Sequence, residues 1–106
     1  MEEIKVGEYI RTKEDGICKL IDKEKDADGE WAGYIDRPFW LRENNIVKHS
    51  PNIIDLIEVG DYVNGELVAS VSEESVEIGE GWHVQVKNIK SIVTHEQFNS
   101  IKYEVI

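Results

Sequence analysis

The sequence has few of the features that mark secreted or membrane proteins. It contains one cysteine, Cys18, in 106 residues, so an internal disulfide is excluded. No apolar run approaches the roughly 20 residues that are needed to span a membrane. The acidic N-terminus, residues 1–4, lacks the basic and apolar regions of a signal peptide. Together these absences predict a cytoplasmic protein.

Basic side chains are also scarce. The chain has 22 acidic residues against 12 lysines and arginines, which gives a formal net charge of −10. Residues 1–56 carry −4 of this charge and residues 57–106 carry −6. Because nucleic-acid affinity depends on lysine and arginine neutralising phosphates, this balance opposes direct binding to nucleic acid. It is typical of a soluble protein, or of one that docks on a basic partner.

What the sequence does contain is an internal repeat. Residues 4–10 (IKVGEYI) return as residues 57–63 (IEVGDYV), a shift of 53 positions. Residues 46–49 (IVKH) return as residues 92–95 (IVTH), a shift of 46 positions. Self-similarity at such a spacing indicates a duplicated structural unit.

The repeat divides the chain into a first β repeat, residues 1–56, and a second, residues 57–106. Since a unit of about fifty residues buries only a marginal core, we expect the two repeats to pack as one unit. Short alternating segments predict strands, and the glycine that opens each copy favours a bulge or bend. We therefore predict a mainly β protein of two related SH3-like small barrel halves. A β-sandwich built from two halves is the alternative.

Turn and helix signals fall at equivalent places in the two repeats. Asn64-Gly65 predicts a two-residue hairpin turn. Ser50-Pro51 and the Thr94/Gln97 capping box each predict a short helical turn, directly after the matched strands. The polar segment 22–29 predicts a solvated loop or an exposed hairpin end. Residues 101–105 are expected to form a last strand.

No catalytic motif emerges. His49 and His95 are equivalent in the repeats, so a metal or acid–base pair is conceivable, but a local structural role for each, as for His83, is favoured. Cys18 lies in an apolar segment and predicts a core or edge thiol. No Gly-x-Ser-x-Gly motif, phosphate loop or metal-ligand spacing is present. We predict a protein that is not an enzyme and uses no cofactor or metal.

Aromatic residues cluster where the first repeat has its surplus of about seven residues. Such an insertion is where function is often added to a scaffold. Aromatics beside arginine have the composition of a protein–protein hot spot. Alternatively, Trp31 and Trp82, which roughly match each other in the two repeats, are both core residues. The predicted aromatic contact residues are Tyr34, Arg37, Phe39 and Trp40.

The segment 73–80 (EESVEIGE) alternates acidic with apolar residues. On a strand, Glu77 would point outward while Val76 and Ile78 point inward. Exposed carboxylates of this kind imitate nucleic-acid phosphates and fit a basic groove. The alternative is that the charges protect a sheet edge against pairing. The predicted acidic contact residues are Glu73, Glu74, Glu77 and Glu80.

Residues 46–65 and the tail at 89–98 resemble a group of small proteins carried by phages and prophages of Clostridium-type Firmicutes. The similarity also covers the start of the chain but not residues 19–43 or 66–86. It implies a phage accessory protein made inside a bacterial host cell. Small acidic phage proteins are often inhibitors of host defence, including anti-CRISPR proteins. No residue acquires a role from this resemblance.

Three functions follow as hypotheses. The first is a non-enzymatic inhibitor that docks on a host defence protein with a basic surface, such as a CRISPR effector. The second is a sponge for a nucleotide signal, and the third is a small assembly protein that forms an oligomer. In the sponge, aromatic rings would stack on the base while basic side chains hold the phosphate. The residues of that site would be Trp31, Tyr34 and Trp40 with Arg37, Arg42 and Lys48.

Overall fold

The computed structural model describes residues 3–25, 27–36, 40–101 and 105. Strands dominate it, which confirms the predicted mainly β fold. The first half contains β1 (Tyr9–Thr12), β2 (Gly16–Lys25), β3 (Trp31–Ile35), β4 (Trp40–Arg42) and β5 (Ile46–Ser50). The second half contains β6 (Tyr62–Val63), β7 (Glu66–Val71), β8 (Ser75–Ile78), β9 (Trp82–Gln85), β10 (Ile92–Val93) and the helix α1 (His95–Ile101).

The strands form two antiparallel sheets of five strands each, one from each half. The first sheet has the order β4-β3-β2-β1-β5, and the second has the corresponding order β9-β8-β7-β6-β10. A 3₁₀ turn precedes the last strand of each sheet, at Glu43–Asn45 and at Val86–Asn88. In the described part of the chain the outer strands of neither sheet pair with each other, so each half is an open five-stranded sheet and not a closed barrel.

Hydrogen bonds at the start of each half repeat in the same way as the sequence. The Lys5 N–H donates to the Glu8 carboxylate at 2.6 Å, and the Glu58 N–H donates to the Asp61 carboxylate at 2.7 Å. The register of β2 with β3 and that of β7 with β8 each shift by one residue, at corresponding places. The two halves thus share these local hydrogen bonds and register shifts, and the duplication itself stays a prediction.

Each half has its own cluster of buried apolar side chains. Cys18 belongs to the first cluster and is buried, in agreement with the prediction of a core thiol. Trp31 packs against the same cluster, whereas Trp82 is 73% exposed, so the expectation that Trp82 is a core residue is wrong. Ile17 of β2 packs against the second cluster, which places the two cores side by side.

The predicted helical turns are both found, although the start of the first differs from the prediction. Thr94 and Gln97 form the expected capping box, with backbone-to-side-chain bonds of 3.1 and 3.2 Å. The first turn is a 3₁₀ turn at Ile53–Leu56 and does not begin at Pro51. The Ser50 hydroxyl accepts a hydrogen bond from the Asn52 N–H at 3.0 Å. Ser50 therefore binds the backbone that leads into the turn and does not cap its first residue.

Two further segments can be compared with their predicted assignments. β2 continues to Lys25 because it pairs with β3 along the polar segment, which makes this segment the end of an exposed hairpin and not a loop. The helix α1 runs to Ile101, so no strand begins there, and residues 102–104 of the predicted last strand lie outside the described residues. No helix within the described ranges is long and apolar enough to cross a membrane.

A buried ion pair joins the two halves. Arg11 on β1 and Asp61 before β6 are both fully buried, and both Asp61 carboxylate oxygens accept hydrogen bonds from Arg11, at 2.6 and 2.8 Å. Arg11 also donates to the Leu56 carbonyl at 2.8 Å and to Glu96 at 2.7 Å. Burial lowers the pKa of Arg11, but the bonds to Asp61 and Glu96 outweigh it and raise the pKa above its ordinary value. The guanidinium is therefore charged and bonded on several sides.

We expect Arg11→Met to lower the free energy of unfolding by about 3–5 kcal/mol, because it leaves the buried Asp61 charge without its cation. The loss should be smaller in the double variant Arg11→Met with Asp61→Leu, which removes both charges. Urea unfolding followed by circular dichroism measures both. Lys13→Met, which removes a charge from an exposed site, is the matched control. Equal losses in Arg11→Met and Lys13→Met would contradict this account of the junction.

Candidate partner-binding surfaces

The four predicted acidic residues lie on β8 and the turns at its two ends, and we call them the acidic face. Glu73 and Glu74 are in the turn before β8, Glu77 is on the strand, and Glu80 is in the turn after it. β8 lies between β7 and β9 in the sheet, so these charges do not protect an edge strand, and that alternative is wrong.

The alternation predicted for β8 is confirmed. Val76 and Ile78 are buried in the second core, at 0% and 6% exposure, while Glu77 faces the other side of the sheet. The His83 ring on β9 lies 3.7 Å from the Glu77 carboxylate, and it forms an ion pair with Glu77 only when the ring is protonated. The strand therefore presents its carboxylate outward from a fixed backbone.

The other three carboxylates of the acidic face differ from those at the junction of the halves. Within the described residues, Glu73, Glu74 and Glu80 make no side-chain hydrogen bond or ion pair. By contrast, Asp61 and Glu96 bind Arg11 directly. The negative charge at the junction is thus largely compensated, and the charge on the acidic face is not.

The turn before β8 is held in place by its own serines. The Ser75 N–H donates to the Ser72 hydroxyl at 3.2 Å, and the Ser72 N–H donates to the Ser75 carbonyl at 2.9 Å. The Val86 N–H donates to the Glu74 carbonyl at 3.3 Å, which ties the turn to the end of β9. Glu73 and Glu74 consequently project from a fixed turn, beside an open cleft of about 660 Å³.

The predicted aromatic residues are brought together only in part. Tyr34 on β3 lies opposite Trp40 on β4, with ring centroids 5.2 Å apart and ring planes tilted by 53°. Both rings remain accessible, at 38% and 51% exposure. Arg37 and Phe39 lie outside the described residues. The Tyr34–Trp40 pair is therefore an exposed aromatic patch on the outer face of the first sheet.

The residues proposed to hold a nucleotide are not assembled into one site. Trp31 lies over Gly33 on the core side of β3, where a Cβ at Gly33 would come within 2.8 Å of the Trp31 ring. Tyr34 directly follows Gly33 on β3, and neighbouring residues of a strand point to opposite faces, so the Tyr34 ring lies on the other side of the sheet. Lys48 binds Glu58, at 3.1 Å. Trp31 and Arg42 line one open cleft of about 660 Å³, but Tyr34, Trp40 and Lys48 do not line it, so the described part of the chain assembles only two of the proposed residues.

The equivalent histidines each bind a nearby carboxylate. His49 Nδ1 lies 3.2 Å from both carboxylate oxygens of Glu8, and His95 Nε2 lies 3.1 Å from Glu58. With Glu96, the latter pair has the donor atoms of a metal site. However, Arg11 already binds Glu96 at 2.7 Å, and its cationic side chain opposes a metal ion there. This arrangement serves as an ion-pair network that joins the halves.

One accessible feature did not emerge from the sequence. Val93, Tyr62 and Leu67 lie side by side on β10, β6 and β7, and Phe98 of α1 packs on Tyr62 with centroids 5.2 Å apart. Val93, Leu67 and Phe98 are all more than a third exposed. The hairpin turn at Asn64 fixes the pairing of Tyr62 with Leu67, so this pair was within reach of sequence reasoning.

Comparisons with known proteins identify no family for this arrangement. No protein-family model, curated protein or solved structure matches the chain. Functional inference therefore depends on the geometry of the acidic face and the aromatic patch.

The pKa values of two carboxylates, Glu58 at the junction and Glu8 in the first half, give the stability of the fold a pH dependence. The hydrogen bond from His95 is the main influence on Glu58 and, with Lys48 and Arg11, lowers its pKa below 4.5 against the opposing effect of burial. Burial is the largest influence on Glu8 and raises its pKa, but the bonds from Lys5 and His49 bring it below 4.5. Both groups thus stabilise the folded state when ionised.

A lowered folded-state pKa means that this stabilisation is complete above pH 4.5 and is lost as the pH falls through the folded-state value. We expect the urea midpoint of the protein to drop as the pH falls below 4.5 and these carboxylates protonate. Glu58→Gln should be less stable at neutral pH and should show a shallower drop. Glu80→Gln, on an exposed turn, is the control. A Glu58→Gln curve parallel to the original would contradict the role of Glu58.

Proposed function

We propose that the chain is a non-enzymatic binding protein that docks its acidic face on a basic surface of another protein. The observation that carries this proposal is the contrast in charge compensation within one fold. Glu73, Glu74 and Glu80 have no cationic partner in the described part of the chain, whereas the junction carboxylates are bound by Arg11 and Lys48. Uncompensated charge on fixed turns attracts a basic partner and orients it.

The most specific form of this proposal is a phage-encoded inhibitor of a host defence protein, such as a CRISPR effector, acting in the bacterial cytoplasm. Proteins that handle nucleic acid have basic grooves for phosphates, and a row of carboxylates on a rigid sheet is a competitor for such a groove. The resemblance of residues 46–65 to phage proteins supports this form of the proposal. The inhibitor needs no catalytic group, because it acts by occupying the groove.

Charge-mediated docking predicts that a partner retained by the tagged chain from a bacterial lysate is lost as salt rises from about 50 to 200 mM, as screening shortens the reach of each charge. Reversing Glu73, Glu74 and Glu80 to lysine should weaken binding to that partner by about tenfold or more, mainly through the association rate. Surface plasmon resonance at several salt concentrations separates the rates.

The matched control for that experiment changes the same amount of charge elsewhere. Glu14, Glu24 and Glu43 are exposed carboxylates of the first half, and their reversal to lysine gives the same net charge. Retained binding in this control supports the acidic face as the contact. Equal weakening in both triple variants would show that only the total charge matters, and salt-independent binding would exclude a charge-directed contact.

The aromatic patch supplies a second contact in this proposal. Exposed aromatic pairs on a rigid sheet provide contact area with little loss of side-chain entropy. If the partner covers the patch, Trp40→Ala should cost about 2 kcal/mol of binding energy, or about thirtyfold in Kd. Phe98→Ala, on the helix α1 of the second half, is the control in the same titration. An unchanged Kd for Trp40→Ala would remove the patch from the interface and leave the acidic face as the contact.

A further inference from the structure

One strand of the second sheet has the properties of an open docking edge. β9 is the outer strand on its side of the sheet, and no other strand of the described chain pairs with it beyond β8. Its four residues contain no lysine, arginine or carboxylate, no proline and no glycine. The pairing of β9 with β8 runs without a shift in register, from Trp82 to Gln85. The strand is therefore regular, free of fixed charge and accessible.

The other outer strands carry features that discourage pairing. β4 ends in Arg42, and β5 contains Lys48 and has a shifted register with β1. β10 has only two residues and contacts β2. Natural sheets block exposed edges with charges, bulges and short strands. β9 carries no lysine, arginine or carboxylate and no shift of register, which distinguishes it from β4 and β5, and it is twice as long as β10.

The register shows which backbone groups of β9 are free to bind another strand. Val86 donates its N–H to the Glu74 carbonyl, across the end of the β8–β9 ladder. In an antiparallel ladder, residues alternate between bonding to the neighbouring strand and facing away from it. The N–H and C=O groups of His83 and Gln85 therefore point away from β8, toward the open side.

Charge indicates what kind of strand the edge accepts. The carboxylates of the acidic face surround β9: Glu73 and Glu74 lie near the Gln85 end, Glu80 near the Trp82 end, and Glu77 directly across from His83. A second copy of this chain would bring a net charge of −10 to this place. An added strand with outward lysine or arginine side chains would instead be attracted by these four carboxylates, which outnumber Lys87, the exposed cation near the Gln85 end.

We propose that β9 accepts an extended, lysine- or arginine-bearing segment of the partner protein as an added strand of the second sheet. This inference rests on the proposed function and specifies how the acidic face makes contact. Backbone hydrogen bonds to His83 and Gln85 supply the docking, and the surrounding carboxylates select basic segments. Trp82, which is 73% exposed beside the same edge, supplies an apolar contact for the added strand.

The test uses a short synthetic peptide in which valine and lysine alternate, added to the full-length protein at low salt. Amide hydrogen exchange measured by NMR should show protection of His83 and Gln85 by at least about tenfold on peptide binding. A peptide with glutamate in place of lysine should give no protection. Absence of protection with the lysine peptide, whether or not it binds, overturns the proposal.

Two variants at one position separate backbone pairing from side-chain contact. His83→Pro removes an outward N–H, and proline is tolerated on an edge strand where the N–H faces solvent. It should abolish peptide binding, whereas His83→Ala, which keeps the N–H, should retain it. If His83→Pro does not fold, the hydrogen-exchange result on the unaltered protein provides the test.

The outcomes distinguish this inference from the proposed function. Salt-sensitive binding of the lysine peptide that depends on Glu73 and Glu74, without protection of His83 and Gln85, overturns strand addition and leaves the acidic face as a docking surface. A lysate partner that is lost in the acidic-face variant but retained by His83→Pro also overturns strand addition alone. Absence of any charge-dependent partner or peptide binding overturns both.

Discussion

The arrangement of the molecule depends on the buried guanidinium of Arg11. A charge in the interior is tolerated only when it is paired and hydrogen-bonded, and Arg11 obtains its partners, Asp61, Leu56 and Glu96, from beyond the first sheet. Since Arg11 is on β1, neither half can satisfy it alone. The first sheet is thereby fixed to the start of the second, and the turns and edges of the second sheet are held in a defined position relative to the first.

The same interaction divides the acidic side chains into two groups. Glu58, Asp61 and Glu96 are bound to Arg11, Lys48 or His95, so they contribute to cohesion. The carboxylates in the turns beside β9 have no such partners in the described residues and contribute an electric field instead. Because Arg11 and Lys48 bind carboxylates at the junction, the acidic face keeps its own negative charge, with Lys87 as an exposed cation in the adjoining cleft. Structure and proposed function are thus two consequences of one distribution of charge.

Local sequence signals predicted much of the fold, because they act between neighbouring residues. The Asn64-Gly65 turn has positive φ angles of 52° and 83°, which only a few residue types adopt easily, and the Thr94 capping box depends on a spacing of three. The role of Arg11 was not predicted, since its partner is 50 residues away and a strand arginine usually faces solvent. The exposure of Trp82 was missed for a similar reason, because it depends on how far β9 extends past the core, and the local sequence does not determine this.

The edge position of β9 lies beyond local signals as well, because strand order is a property of the whole sheet. The repeat nevertheless provides a way to compare the two halves once the order is known. Tyr9 has Lys19 beside it on β2, with the ammonium 5.8 Å from the ring, whereas Tyr62 has the exposed Leu67 at the corresponding place on β7. Matched backbones therefore carry different surfaces.

This difference follows from where each half places its few cations. In the first half, Lys19 lies over the Tyr9 ring, and Arg11 and Lys48 bind the carboxylates of the junction. The second half has three basic residues in 57–106, and two of them, Lys87 and Lys90, are exposed. Because Arg11 and Lys48 come from the first copy, the second copy needs no cation of its own to be held in place. When the first half supplies the cations that join the two halves, the second half is left to present the edge that we propose as a binding site.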